Sequence, residues 1–116
     1  MGKLTTHVLD TRAGTPAAGV AIDLYSLDDG RKLLKSLVTN SDGRCDEALL
    51  EGEGMQAGNW ELVFHIGKYF SEQGLASSGR AFLDEVPIRF GISDSDAHYH
   101  VPLLASPWSY TTYRGS

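Results

Sequence analysis

Trp60-Glu61-Leu62-Val63-Phe64-His65-Ile66 sets Trp60, Leu62, Phe64 and Ile66 against Glu61, Val63 and His65. Successive side chains of a strand point to opposite faces, so an apolar residue at every second position marks a strand with one buried face. The same period runs through Val20, Ile22 and Leu24, which alternate with Ala21, Asp23 and Tyr25. It returns in Val86, Ile88, Phe90 and Ile92, interleaved with Pro87, Arg89 and Gly91. Turn chemistry separates these runs. Ala13-Gly14-Thr15-Pro16 follows a first strand, and Asp28-Asp29-Gly30 reads as a hairpin turn between Val20–Leu27 and Lys32–Thr39. Asn40-Ser41-Asp42-Gly43 gives a further turn, in which Gly43 is free to take a positive φ. Gly52-Glu53-Gly54 and Ala57-Gly58 break the chain again.

One stretch departs from period two. Lys68-Tyr69-Phe70-Ser71-Glu72-Gln73-Gly74 offers two helical turns closed by a glycine, and Ala76–Arg80 then reads as an exposed loop. The expectation is an all-β chain, a two-sheet sandwich of about eight short strands with one short helix. At 116 residues it should form a single domain, 1–116, large enough to bury a core without disulfide or metal.

Composition narrows the function classes. The formal net charge is -5 and no Lys/Arg run stands out, which disfavours a nucleic-acid partner. No stretch approaches the roughly 20 apolar residues of a membrane helix, and the N-terminal residues lack a signal-peptide core. Cys45 is the one cysteine, so no intrachain disulfide forms. The expected location is cytoplasmic, with neither membrane nor nucleic acid as partner.

Four places could carry chemistry. His98 and His100, in His98-Tyr99-His100-Val101-Pro102-Leu103-Leu104, share one face of a strand and could act as acid and base or bind a metal. Alternation in Leu4-Thr5-Thr6-His7-Val8-Leu9 puts His7 on the side of Thr5 and Leu9, opposite Val8. Arg44, after Asp42-Gly43, is either a solvated turn residue or a fixed guanidinium that grips planar oxygen groups. The tail Tyr110-Thr111-Thr112-Tyr113-Arg114-Gly115-Ser116 is aromatic and β-prone, which argues for an ordered final strand. Cys45 beside Arg44 reads as a small apolar residue rather than a thiolate nucleophile. Phosphate-binding glycine loops, spaced Cys/His zinc patterns and a serine nucleophile elbow are absent from the sequence.

Taken in order, these segments resemble the transthyretin-like family over nearly the whole chain. His7-Val8-Leu9-Asp10 with Gly14-Thr15-Pro16-Ala17 resembles its first strand and turn. Thr39–Arg44 resembles its second signature, and His98–Leu104 with Ser106–Ser116 the third. The family holds two functional classes, a carrier of thyroid hormone and a hydrolase that opens 5-hydroxyisourate in urate breakdown. His7, Arg44, His100 and the Tyr113-Arg114-Gly115-Ser116 end resemble the hydrolase. Three departures stand out: Phe82-Leu83-Asp84-Glu85 where the family has a phenylalanine-proline pair, Ala105 in place of a third leucine, and Trp108 in place of a tyrosine.

The resemblance implies hydrolysis of the N1–C6 amide of 5-hydroxyisourate to 2-oxo-4-hydroxy-4-carboxy-5-ureidoimidazoline, without cofactor or metal. His7 and His100 would be the acid–base pair, either of them the base. Arg44 would grip substrate oxygens and offset developing charge. Ser116 would place its hydroxyl or a terminal carboxylate beside the substrate or water, Tyr113 would contact the substrate, and His98 would support it. A zinc site on His7, His98 and His100, and covalent attack by Ser116, are the rival mechanisms. The implied assembly is a homotetramer, a dimer of dimers with active sites along a central channel. The alternative function is a non-catalytic small-ligand carrier of transthyretin type.

Overall fold

The alternating runs fold into two stacked sheets in the computed structural model, which describes residues 2–75 and 79–115. Nine strands form among these residues: β1 Lys3–Asp10, β2 Thr15–Pro16, β3 Ala21–Ser26, β4 Lys32–Val38, β5 Leu50–Glu51, β6 Gly58–His65, β7 Glu85–Ile92, β8 His98–Ala105 and β9 Tyr110–Thr112. β2 and β5 are two residues long, so seven longer strands carry the sandwich. The first sheet has the order β2-β1-β8-β9, with β5 also on β1, and the second the order β4-β3-β6-β7. The expected hairpin at Asp28-Asp29-Gly30 joins β3 and β4.

The core lies between the sheets. Leu4, Val8, Val101 and Leu103 face it from the first sheet, Ile22, Leu24, Leu62, Phe64 and Val86 from the second. Burial of each such side chain contributes about 1.5–3 kcal/mol against leaving it exposed. Val20, Ile22 and Leu24 are all fully buried, as their alternation requires.

The decisive run Trp60–Ile66 needs one correction. The strand stops at His65, and Ile66 opens the helix α1, Ile66–Phe70. Ile66 keeps its burial because the helix docks on the same core, while Gly67 N–H donates to the carbonyl of Asp84 at 2.8 Å. The helix thus begins two residues before the expected Lys68. It runs on as a wider turn, Ser71–Leu75, in which the helical backbone breaks at the expected glycine, Gly74, with φ 80°. Of the loop expected at Ala76–Arg80, residues 76–78 lie outside the described residues, while Gly79 and Arg80 are exposed.

Asp10 ties the helix to the first sheet. Its side chain is fully buried; Oδ1 accepts from the N–H groups of Arg12 and Ala13, and Oδ2 from the Tyr69 hydroxyl at 2.9 Å. Burial, then the bond to Asp10, pushes the Tyr69 phenol up to about 12, so it stays a donor at any physiological pH. Two of the departures from the family pattern meet here in space: the exposed rings of Phe82 and Trp108 lie 6.1 Å apart.

Candidate active site

β1 is the spine of the site. Leu4, Thr6, Val8 and Asp10 turn inward, which leaves Thr5, His7 and Leu9 on the outer face. On one side β1 pairs with β8 in parallel, with Lys3 opposite His98 and Thr5 opposite His100. On its other side lie β5 and a single bridge between His7 and Arg44. Residues from the two ends of the chain and from its first half therefore share one face.

The turn before Arg44 is built by Asn40. Its Oδ1 accepts from the N–H groups of Asp42 and Arg44, and its own N–H donates to the Arg44 carbonyl. Gly43 takes φ 75°, and a Cβ there would collide with the carbonyl oxygen of Val8. Glycine alone lets the turn press against β1, where Val8 N–H donates to the Gly43 carbonyl at 2.8 Å. The same turn aims the Asp42 carbonyl at His7 Nε2, 2.9 Å away. A carbonyl can only accept, so Nε2 carries the proton and Nδ1 of the neutral ring holds a lone pair.

An open groove of about 410 Å³ runs over this face, lined by Lys3, Thr5, Arg44, Asp46, His98 and His100 among others. Arg44 is exposed and takes no carboxylate partner among the described residues. Burial first, and then the charges of Arg44, His7 and His98, push the His100 imidazole below its ordinary value. His100 is therefore predominantly neutral at neutral pH. Cys45 also lines the groove, but burial and then the carboxylates of Asp46 and Glu47 push its thiol up. It stays protonated and is a poor nucleophile, as its reading as an apolar residue requires.

His7, Arg44, His98 and His100 are thus brought together. Ser116 lies outside the described residues, but its neighbour Gly115 donates its N–H to the His100 carbonyl at 2.7 Å. A Cβ on Gly115 would come within 2.7 Å of the His100 ring. Arg114 stacks its guanidinium 4.1 Å above the Tyr99 ring, which anchors the tail on β8. The tail is ordered as expected up to Gly115, although β9 itself stops at Thr112. Tyr113 is more than half exposed and lines a separate depression with Ile88, Phe90, Tyr99 and Arg114, away from the histidine groove of the same chain. A smaller apolar hollow beside Phe82 and Trp108 has no titratable lining.

Asn40 shapes the turn expected of Asn40–Gly43, whereas one working residue escaped the sequence reading: Thr5, which holds His98 and His100 together through its hydroxyl. Alternation already put Thr5 on the side of His7, but nothing local in the sequence announces the β1–β8 pairing that gives it partners.

Fold and groove together define a transthyretin-type sandwich whose outer sheet face carries histidine and arginine. The chain belongs to the HIUase/Transthyretin family, whose family model matches residues 4–115. It is 59% identical over 116 residues to a Rhizobium meliloti protein named 5-hydroxyisourate hydrolase 2, covering 99% of this chain and 97% of that one. The solved structure of Klebsiella pneumoniae 5-hydroxyisourate hydrolase superposes with a TM-score of 0.81 at 35% identity, covering 98% and 99% of the two chains. A crystal structure of (S)-allantoin synthase matches with a TM-score of 0.94 at 48% identity; there the match covers 99% of this chain and 44% of the longer one.

Proposed function

We propose that this chain is a hydrolase that opens the N1–C6 amide of 5-hydroxyisourate to give 2-oxo-4-hydroxy-4-carboxy-5-ureidoimidazoline. The observation that carries the reading is the convergence of His7, Arg44 and His100 on one outer sheet face, in a chain whose relatives over their full length bear the hydrolase name. Amide opening needs an activated water, a stabilised oxyanion and a protonated leaving nitrogen. His7 suits the first task. Its Nε2 proton is committed to the Asp42 carbonyl, so Nδ1 is free to take a proton from water. Arg44, exposed and without a carboxylate partner, holds substrate oxygens and offsets the oxyanion. His100 then serves the leaving nitrogen. Ser116 contributes its hydroxyl to the substrate, as the resemblance of the Tyr113–Ser116 end implies.

His98 supports His100, and Tyr113 reaches substrate from a neighbouring chain in a homotetramer, a dimer of dimers with sites where the dimers meet. Exposed Tyr110 and Tyr113 at the outer end of the first sheet support such an assembly. The chain works as one transthyretin-like domain, 1–116, in the cytoplasm. No described helix is long and apolar enough to cross a membrane. The reaction runs without metal or cofactor. The described His, Cys, Asp and Glu side chains form no group of three that could hold an ion. Hormone carriage is disfavoured because His98, His100 and Arg44 make the groove too polar for an aromatic ligand.

The test is to generate 5-hydroxyisourate in place from urate and follow its ultraviolet decay with and without the protein, chelator present. Decay well above the spontaneous rate is expected. The spontaneous rate from folded protein would shift the reading to a ligand carrier, and loss of activity with chelator, restored by zinc, to a metal hydrolase.

A further inference from the structure

Thr5 Oγ1 lies 2.9 Å from His98 Nε2 and 2.8 Å from His100 Nδ1. A hydroxyl has one proton to donate. With both rings neutral, Thr5 can accept from His98 Nε2–H while donating to His100 Nδ1, which puts both rings in the Nε2–H tautomer. Strand geometry fixes the arrangement. Thr5 faces His100 across the parallel pairing, and His98 sits two residues earlier on the same face. The His98 ring is exposed while His100 is half-buried, so the hydroxyl links a solvent-facing imidazole to one inside the groove.

We propose that Thr5 is a positioning residue that relays protons from His98 to His100, and that His100 so supplied is the general acid toward the leaving nitrogen. The inference rests on the reading of the groove as the hydrolytic site. As the C6–N1 bond breaks, His100 Nε2 gives its proton to N1. His100 Nδ1 takes the Thr5 hydroxyl proton, and the Thr5 oxygen takes the proton of His98 Nε2. His98 gains a solvent proton at Nδ1. The proton that His7 Nδ1 draws from the attacking water returns to solvent, so the elements of one water molecule add across the bond.

The direction follows from what each ring has left to give. His7 has its Nε2–H tied to a carbonyl and offers only a lone pair, which fills the role of base. His100 is depressed by burial and by nearby Arg44, His7 and His98, so it is no standing imidazolium at neutral pH. A neutral ring can release its Nε2 proton only if Nδ1 is resupplied, and Thr5 is the group in contact with Nδ1. The other charged groups facing the rings are Lys3 on β1 and Asp46 and Glu47 on the segment after Arg44.

The test compares wild type with Thr5→Val, Thr5→Ser, His98→Ala and the Thr5→Val/His98→Ala double variant. It reads kcat, KM and pH profile for 5-hydroxyisourate decay, and the tautomers of nitrogen-15-labelled histidines without substrate. Thr5→Val is expected to lower kcat about 10–100-fold, within the range of acid–base catalysis. KM should hardly change, and Thr5→Ser should restore most of the rate. Adding His98→Ala to Thr5→Val should cost nothing more, because the path is already cut. The tautomers of His98 and His100 should change together in Thr5→Val. Wild-type kcat in Thr5→Val, losses that multiply in the double variant, or a Thr5→Ser as impaired as Thr5→Val would overturn the relay alone. A wild type that fails to speed decay would sink the hydrolase reading, and the relay with it. If Thr5→Val does not fold, His98→Ala alone must still lower kcat while leaving KM near wild type.

Discussion

Both sheets carry a polar cluster with a histidine on the outer face, and the two clusters are built on opposite plans. On the β4-β3-β6-β7 sheet the clustered charges are spent on neighbours. Asp23 accepts from His65 Nε2 at 2.8 Å and from the Ser36 hydroxyl at 2.7 Å. Glu61, only 2% exposed, is clamped between Arg31 at 2.8 Å and Arg89 at 2.9 Å. Ser36, Asp23 and His65 are the residue types of a nucleophile triad, yet the carboxylate stands in the middle, so the histidine never touches the serine and no nucleophile is activated. On the β1–β8 face the histidines bond to a hydroxyl and a carbonyl rather than a carboxylate, and Arg44 points into an open groove. Composition does not tell the two faces apart. What separates them is whether lone pairs and guanidinium protons are left over for a ligand.

Arg44→Ala should break the comparison hardest. It removes a guanidinium of the open face that takes no carboxylate partner among the described residues, and should lower kcat/KM about 10²–10³-fold, the usual cost of an oxyanion donor. Lysine in its place should recover little, since it lacks the planar fork. Wild-type decay rates in Arg44→Ala would falsify the assignment of the open face as the site.

Glu61→Gln should do the reverse: it should lower the melting temperature on the order of 5 °C, with kcat/KM unchanged. A loss of activity in a still-folded Glu61→Gln protein would show that the closed face is coupled to the chemistry.

Stability against pH should separate the faces by window. Asp23, held by His65 and Ser36, and Glu61, held by Arg89 and Arg31, both fall below their ordinary values of 3.8 and 4.5 despite burial. The folded state thus binds fewer protons than the unfolded chain there. Their stabilisation is complete above those values and is lost as pH falls through the lowered folded values. His100 is also depressed, from an ordinary 6.5, so its share is lost as pH falls from that value through its lower folded one. Denaturant midpoints measured across pH should show an upper step that His100→Asn removes and a lower one that Asp23→Asn reduces. A single step insensitive to both changes would contradict the assignment.

The smallest effect is expected from Ser36→Ala and His65→Gln, each leaving kcat/KM within about twofold of wild type. A large loss in either would mean that the centred carboxylate has been misread.

Much of the architecture was legible because one-sided burial writes itself as period two. Val20–Tyr25 and Val86–Ile92 hold their alternation, and the turn residues at 28–30 and 40–43 fall where strands must reverse. Two failures have one cause. Ile66 continued the apolar period but belongs to the helix, and Glu61 held a polar place but is buried beneath Arg31 of the β3–β4 connection and Arg89 of β7. Both depend on contacts made across the fold, which local periodicity does not record. The candidate site was legible as residue types and through family resemblance. Its assembly was not, because Thr5, His7 and His100 meet only through the register of β1 against β8. Tyr113 shows the limit from the other side: the tail carried a residue signal, but one chain does not bring that ring to the groove.

The parallel pairing of β1 with β8 also orders events in time. Thr5 and His100 are separated by 95 positions. At translation speeds of about 5–20 residues per second, His100 leaves the ribosome on the order of 10 s after Thr5. The β4-β3-β6-β7 sheet has all its strands by residue 92, whereas the β1 edge that meets β8 stays uncovered until residues 98–105 have emerged. A nascent chain halted before residue 98 would lack β8 and both of its histidines, and β1 would keep an unpaired edge where the groove should form.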